Sequence, residues 1–105
     1  MNIFMDDSRL CPYGFTEAAS VEEALELVRK HDVDILSLDY NMGFRKQNGL
    51  DFVNAFCQEG LFAKEIHLHS NDMIGKHYME ERLKRAKEKG EIAASIQIKR
   101  THGLY

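Results

Sequence analysis

The chain has 105 residues, of which 44% are hydrophobic and 30% charged, and its net charge is −3. This composition excludes a disordered or fibrous chain, and the length fits one domain that covers residues 1–105. The charge is uneven, because residues 1–40 contain nine Asp and Glu against three Lys and Arg, and the remaining residues contain eight against eleven. Such a split favours a site that holds a cation beside an anion, and strong binding of double-stranded nucleic acid is not expected.

Nothing in the sequence predicts a membrane or secretory protein. The chain has neither a basic leader nor an apolar run long enough to span a bilayer. Its two cysteines, Cys11 and Cys57, lie 46 positions apart and lack the close spacing of zinc ligands. We therefore expect a cytoplasmic protein with reduced thiols, although the spacing is compatible with a disulfide bond.

Two short apolar runs that stop at acidic residues predict buried parallel strands. One covers residues 2–5 and is followed by Asp6 and Asp7, and the other covers residues 34–39 and ends at Asp39. Further strands are predicted at residues 15–19, 66–70 and 92–98.

Helical patterns fill three of the gaps between these strands. Ser20 and Glu23 form a capping box before an apolar helical stripe. A second stripe ends at Gly60, and a third helix is predicted at residues 76–89. Residues 8–14 contain the only proline and predict a loop. The alternation predicts an α/β layer fold with a mostly parallel sheet and right-handed crossovers.

The predicted helix at residues 76–89 is basic, with six Lys and Arg and three Glu. Its cations could collect the phosphates of RNA or of a nucleotide. The alternation of acidic and basic residues instead favours an ordinary solvated face. Both interpretations are open, with the solvated face preferred.

Three carboxylates follow the two best predicted strands, namely Asp6, Asp7 and Asp39. If these strands are neighbours in a parallel sheet, the three side chains meet in one crevice at its carboxyl edge. Carboxylates that close repel one another unless a cation takes up the charge. Oxygen ligands at a partly open site favour Mg²⁺ or Mn²⁺, and Mg²⁺ in particular recruits phosphate oxygens.

The acids resemble the receiver domain of bacterial response regulators. The residues that carry the resemblance are Asp6, Asp7, Asp39, Asn41, Met42 and Gly49. It implies a three-layer flavodoxin-like or receiver-like fold in which the acids bind Mg²⁺ and Asp39 accepts a phosphoryl group. Receivers place a helix where residues 8–14 predict a loop, so we expect the usual first helix to be missing. Lys99 matches the lysine that receivers carry at the end of their last strand.

A narrower family is similar over more of the chain. Residues 4–9, 37–43 and 69–79 are similar, in this order, to the LDDxR, SLDHDLG and HSxNPxGxxxM segments of the cyclic-phosphate-processing receiver-like domains. The chain departs from these segments where the family has His, Asp, Asn and Pro, at Tyr40, Asn41, Asp72 and Met73.

The third of these segments predicts the phosphate side of the site. His69 closes a strand and can act as a general acid or base near neutral pH, and Ser70 can bond a phosphoryl oxygen. A helix that begins near Asp72 directs free backbone N–H groups at the same anion, and Gly75 permits close approach.

The resemblance implies metal-dependent binding and hydrolysis of a cyclic phosphate ester, on a nucleotide or an RNA end, by a Mg²⁺-dependent cyclic phosphodiesterase. The predicted catalytic residues are Asp39, His69 and Ser70, the metal ligands are Asp6, Asp7 and Asp39, and the substrate-binding residues are Asn71, Asp72, Gly75 and Lys99. Two alternatives are a stand-alone receiver that is phosphorylated on Asp39, and a non-catalytic module that binds a cyclic nucleotide or a protein partner.

Overall fold

The structure is a computed structural model in which residues 1–101 are described. They form five strands and three helices, which confirms the predicted α/β class. In chain order the elements are β1 (Asn2–Met5), β2 (Thr16–Ala18), α1 (Val21–Lys30), β3 (Ile35–Leu38), α2 (Gly49–Gln58), β4 (Glu65–Leu68), α3 (Met73–Lys89) and β5 (Gln97–Arg100).

The five strands make one sheet in the order β2-β1-β3-β4-β5, and every pair in it is parallel. Met5 is in register with Leu38, and Leu38 with Leu68, which in turn pairs with Arg100. The residues that follow β1, β3, β4 and β5 therefore lie level along one edge of the sheet. We call this edge the carboxyl edge.

All three helices lie on one face of the sheet. Helix α2 contacts both α1 and α3, and buried residues of all three join one apolar cluster. The physical reason is that the three crossovers that contain a helix all advance in the same direction across the sheet, and right-handed crossovers in one direction share a face. The described residues thus form two layers rather than the three that the resemblance implies.

The connection between β1 and β2 contains no helix, as predicted. Residues 6–15 form turns and irregular backbone between the first two strands. The crossover from β1 to β2 runs in the opposite direction from the other three, so a right-handed crossover helix there would lie on the opposite face of the sheet. Since residues 6–15 contain no helix, this crossover adds no helix to that face.

Side chains alternate along the strands, so the sheet has an apolar face against the helices and a second face that also buries polar side chains. On the three central strands, β1, β3 and β4, the side chains that face the helices are all apolar and buried: Ile3, Met5, Leu36, Leu38, Ile66 and Leu68. The intervening positions include Phe4, Ser37 and His67, which are also buried. Two buried polar side chains on the face without helices need hydrogen-bond partners, and this matters for the site.

The predicted start of α1 and the predicted end of α3 are confirmed, whereas the predicted position of the last strand is wrong. Ser20 accepts from the Glu23 amide, and Gly90 ends α3 with a φ of 75°. The predicted strand at residues 92–98 lies instead at Gln97–Arg100. Ile92 and Ile96 are buried in the core from the connection that precedes it, since an apolar pattern reports burial and not extended backbone.

No helix within residues 1–101 has the length and apolar character needed to cross a membrane.

Candidate functional site

Three of the predicted site residues meet at the carboxyl edge. Asp6, Asp39 and His69 directly follow β1, β3 and β4, and each places one ligating atom within 4.8 Å of the others. All three side chains are buried or nearly so, with 0%, 9% and 0% exposed surface. The parallel register brings them together, as the strand-end pattern predicts for the two acids.

Asp6 is held by donors from its own turn and from β4. Its Oδ1 accepts from the backbone amides of Ser8 at 2.8 Å and Arg9 at 3.0 Å. Its Oδ2 lies 2.9 Å from Nε2 of His69. Burial would raise the pKa of Asp6, but the hydrogen bonds from Arg9, Ser8 and His69 outweigh it and hold the pKa below its ordinary value. Asp6 is therefore a fixed carboxylate at neutral pH.

His69 has internal partners on both ring nitrogens. Nε2 faces Asp6, and Nδ1 lies 2.7 Å from the Ser37 hydroxyl. The ring also stacks on Phe4, with centroids 4.5 Å apart. Burial lowers the pKa of His69 despite the hydrogen bond to Asp6, so the ring is neutral at pH 7. Because a carboxylate only accepts, we assign the single N–H to Nε2, and the Ser37 hydroxyl then donates to Nδ1.

Asp39 is less completely compensated than Asp6. Its Oδ1 accepts from the Tyr40 amide at 2.8 Å. Burial raises the pKa of Asp39, the negative charge of Asp6 raises it further, and the Tyr40 amide and the Ser70 hydroxyl only partly offset this. Two buried carboxylates side by side are what a bound cation would stabilise. The oxygen donors of this pair therefore fit a Mg²⁺ or Mn²⁺ ion.

Asp7 lies apart from this pair. Its side chain is exposed, and its Oδ2 borders Gly43, where a Cβ added to the glycine would stand 3.1 Å away. Asp7 also lines a cleft of about 530 Å³ together with Met42 and Lys46. Within residues 1–101, the group whose ligating atoms converge contains Asp6, Asp39 and His69, without Asp7.

The first turn of α3 is closed by its own cap. Ser70 is buried, and its Oγ accepts from the Asp72 amide at 3.0 Å. Asp72, near which the sequence predicts the start of this helix, is its N-cap, and its Oδ1 accepts from the Gly75 amide at 2.8 Å. That amide is thus already satisfied, while Asn71 remains exposed.

Gly75 makes room for a side chain of the protein itself. A Cβ at this position would lie 2.3 Å from Cγ of Tyr40. The Tyr40 hydroxyl in turn lies 3.4 Å from Nδ2 of Asn48, the cap of α2. The close approach that the sequence predicts at Gly75 is therefore to Tyr40.

Lys99 lies in a different cluster from the acids. Its Nζ forms an ion pair with Glu65 at 2.9 Å, and half of its side chain is exposed. Glu65 also bonds His67, and both belong to β4 ahead of the carboxyl edge. Lys99 thus lies within β5, before the carboxyl edge at which Asp6 and Asp39 meet.

Three residues at the site escaped the sequence reasoning. Ser37 orients His69, Arg9 donates from Nη1 to the His69 carbonyl at 3.1 Å, and Lys76 donates from Nζ to the Thr101 carbonyl at 3.2 Å. Ser37 is the one polar residue in an apolar strand, and Arg9 belongs to a family segment, so both left a signal. Lys76 left none, because a lysine in a basic helix is usually exposed.

Two of the remaining cations of α3 form ion pairs with nearby glutamates. Arg82 forms an ion pair with Glu91 at 2.8 Å, and Lys84 lies 3.9 Å from Glu80. These contacts agree with the preferred interpretation of this helix as an ordinary solvated face.

Comparisons with known proteins address the identity of the chain. The searches of curated proteins and of solved structures gave no match. The family model described as the cyclic-phosphate processing receiver domain matches residues 1–85. These residues include Asp6, Asp39, His69 and the first turn of α3. The chain belongs to the cyclic-phosphate processing receiver domain family.

Proposed function

We propose that this protein binds a divalent cation on Asp6 and Asp39 and hydrolyses a cyclic phosphate ester at the carboxyl edge. The observation that carries the proposal is the convergence of two buried carboxylates, one fixed as an anion and the other with its pKa raised by burial and by the charge of the first. Family membership supports the substrate class.

The donor set decides which groups would hold the ion. Asp6 and Asp39 would ligate it, and Asp7 would contribute less because its carboxylate faces Gly43. When bound, Mg²⁺ or Mn²⁺ supplies charge neutralisation and polarises a phosphoryl oxygen.

His69 acts in this proposal as a positioning residue. A general acid must carry a proton that it can release to the ligand, whereas neutral His69 directs its N–H at Asp6 and is fully buried. Its contribution is to hold the Asp6 carboxylate in one orientation, and Ser37 fixes the ring in turn. This assignment replaces the role of proton donor that the sequence suggests.

Ser70 is the polar group best placed to touch a phosphoryl oxygen. It lies beside Asp39 at the end of β4, and its oxygen accepts from the Asp72 amide. Its one proton now partly offsets the charge of Asp39, and it would turn to the phosphoryl oxygen once a cation takes up that charge. The ester would then lie between the acid pair and the first turn of α3, with Asn71 exposed at the entrance.

The test is hydrolysis of a 2′,3′-cyclic nucleotide monophosphate by the full chain with Mg²⁺ or Mn²⁺, monitored by ³¹P NMR. We expect turnover by the wild-type protein and a loss of at least about 100-fold in Asp39→Asn, which removes a proposed ligand. Asp34→Asn is the matched control, because Asp34 precedes the same strand at its other end and pairs with Lys64. An intact protein that leaves the ester unchanged with either metal would contradict hydrolysis.

Phosphorylation of Asp39 is the alternative that the resemblance to receivers raised. It calls for Lys99 beside the acids, and Lys99 pairs with Glu65 instead. Mass spectrometry after incubation with acetyl phosphate separates the two functions, since only a phosphoacceptor gains a phosphoryl group on Asp39.

A further inference from the structure

Lys76 is a buried cation without a carboxylate partner in the part of the chain that the structure describes. The residue is 5% exposed, and its ammonium donates to the Thr101 carbonyl at 3.2 Å. Among residues 1–101, no carboxylate oxygen lies within 4.0 Å of it, whereas twelve other ion pairs meet this limit, one of them formed by the chain's own amino terminus. An ammonium that is buried with one neutral acceptor is costly, so the protein has placed this charge there at the expense of stability.

The charged groups that face Lys76 make its surroundings more positive. Burial lowers the pKa of Lys76, and the positive charges of Arg100 and Arg9 lower it further, against a smaller effect of Glu80. Glu80 is already paired with Arg100 at 2.7 Å. The balance of charge around the ammonium therefore favours an anion.

A buried hydroxyl group lies in the residue to which Lys76 donates. Oγ1 of Thr101 is buried and has no hydrogen-bond partner, the one such side-chain atom among the described residues. The backbone N–H of Thr101 bonds the Leu68 carbonyl at 3.0 Å, so the residue is fixed where β5 ends beside β4. A buried hydroxyl left unpaired is as unusual as the ammonium beside it, and an oxyanion could accept hydrogen bonds from both.

The position matches the edge at which the acids lie. Thr101 follows β5 and is level with His69, which follows β4. Arg9 reaches the same point from the first turn, since its guanidinium donates to the His69 carbonyl. The donors thus stand at the ends of β4 and β5, next to Ser70.

We propose that Lys76 and Thr101, with Arg9 alongside, bind a phosphate oxyanion at the carboxyl ends of β4 and β5. The inference rests on the proposed function in its choice of phosphate, and it deepens that function by naming the groups that hold the phosphoryl oxygens. The positively charged side chain that binds the phosphate is then Lys76 in α3, in place of the sequence-predicted Lys99 in β5.

The experiment is a titration of the metal-free full chain with inorganic phosphate, followed by calorimetry and by the side-chain ¹Hε–¹³Cε signal of Lys76. We expect this signal to shift and saturate with phosphate. Lys76→Met keeps the length of the side chain and removes the charge, and it should weaken phosphate binding by about tenfold or more. Thr101→Val removes only the hydroxyl and should weaken binding by about fivefold.

Lys84→Met is the matched control, because Lys84 is on the same helix and more than half exposed. It should bind phosphate within about twofold of wild type. Equal phosphate affinity in Lys76→Met and wild type would overturn the inference, as would absence of phosphate binding by the wild type. If Lys76→Met does not fold, the wild-type NMR signal decides. Phosphate binding that saturates in calorimetry without moving the Lys76 signal would also overturn the inference. The titration contains no metal and no ester, so its failure is distinct from a failure of hydrolysis.

Discussion

Two neighbouring parts of the carboxyl edge carry buried groups of opposite charge. At the ends of β1 and β3 lies the acid pair, Asp6 and Asp39. The ammonium of Lys76, in α3, lies against Thr101, which follows β5. Asp6 has three close donors and a lowered pKa. Asp39 and Lys76 have fewer partners. Burial raises the pKa of Asp39 and lowers the pKa of Lys76, so it favours the neutral form of each. The charge of Asp6 is thus satisfied within the fold, whereas a bound cation would stabilise the charge of Asp39 and a bound oxyanion that of Lys76.

The largest loss of stability is predicted for substitution of Asp6, whose charge is satisfied within the fold. Asp6→Asn places an NH₂ group or a neutral oxygen against His69 and the two turn amides, so we expect a loss of about 3 kcal/mol in the free energy of unfolding. Urea denaturation measures it. Asp7→Asn changes the adjacent, exposed residue and should stay within about 0.5 kcal/mol. Similar losses in the two variants would mean that Asp6 is not the fixed member of the pair.

The contact between Tyr40 and Gly75 joins the two parts of the edge, because these residues directly follow Asp39 and precede Lys76. Gly75→Ala would push a methyl group into the tyrosine ring, and we expect a loss of about 2 kcal/mol in thermal unfolding. The same substitution in a Tyr40→Ala background should cost much less, as a double-mutant cycle would show. An equal cost in both backgrounds would contradict this packing.

Ser37 tests how firmly the orientation of Asp6 is set. Ser37→Ala removes the donor to Nδ1 of His69, and the expected destabilisation is about 1 kcal/mol. The ¹⁵N signals of the imidazole report the tautomer, and the wild-type protein should carry its proton on Nε2. Ser95→Ala, at an exposed position, serves as the control and should have no measurable effect. A wild-type ring protonated on Nδ1 would break the assignment.

The smallest effect is a pH dependence of opposite sign for the two acids, in metal-free buffer. The pKa of Asp39 is raised above its ordinary 3.8, so stability falls as pH rises through the window between that value and the raised pKa. The pKa of Asp6 is lowered, so its contribution is lost as pH falls below 3.8. Asp39→Asn should therefore be more stable than wild type at pH 7, and the difference should vanish in acid. A less stable variant at pH 7 would contradict the raised pKa.

The sequence was sufficient for the part of the site that follows from strand ends. Acids that terminate apolar runs mark the carboxyl ends of parallel strands, and this pattern alone predicts that Asp6 and Asp39 lie together. It did not separate Asp7, because the direction of a side chain in the first turn depends on the loop that packs against it. The capping serine of α1 and the capping aspartate of α3 were equally local and equally predictable.

What the sequence could not supply is pairing between distant residues. The partners of His69 come from β3 and from the turn after β1, so a histidine that looks free in the sequence is fully occupied in the fold. The Lys76 ammonium contacts Thr101 because β5 ends beside the first turn of α3. The sequence placed β5 too early, because the apolar residues before it resemble a strand. The number of layers likewise depended on the order of the strands, which periodicity does not encode.

The most direct test of the central claim is calorimetric titration of Mg²⁺ into wild type, Asp39→Asn and Asp34→Asn. The two substitutions remove one charge each from opposite ends of β3, and Asp34 is exposed and paired with Lys64. We predict one binding event in wild type and Asp34→Asn, and affinity at least about tenfold weaker in Asp39→Asn. At Mg²⁺ concentrations of about one hundred times Kd, the bound proteins should gain about 2.7 kcal/mol of stability. Unchanged Mg²⁺ affinity in Asp39→Asn would contradict a metal site on Asp6 and Asp39.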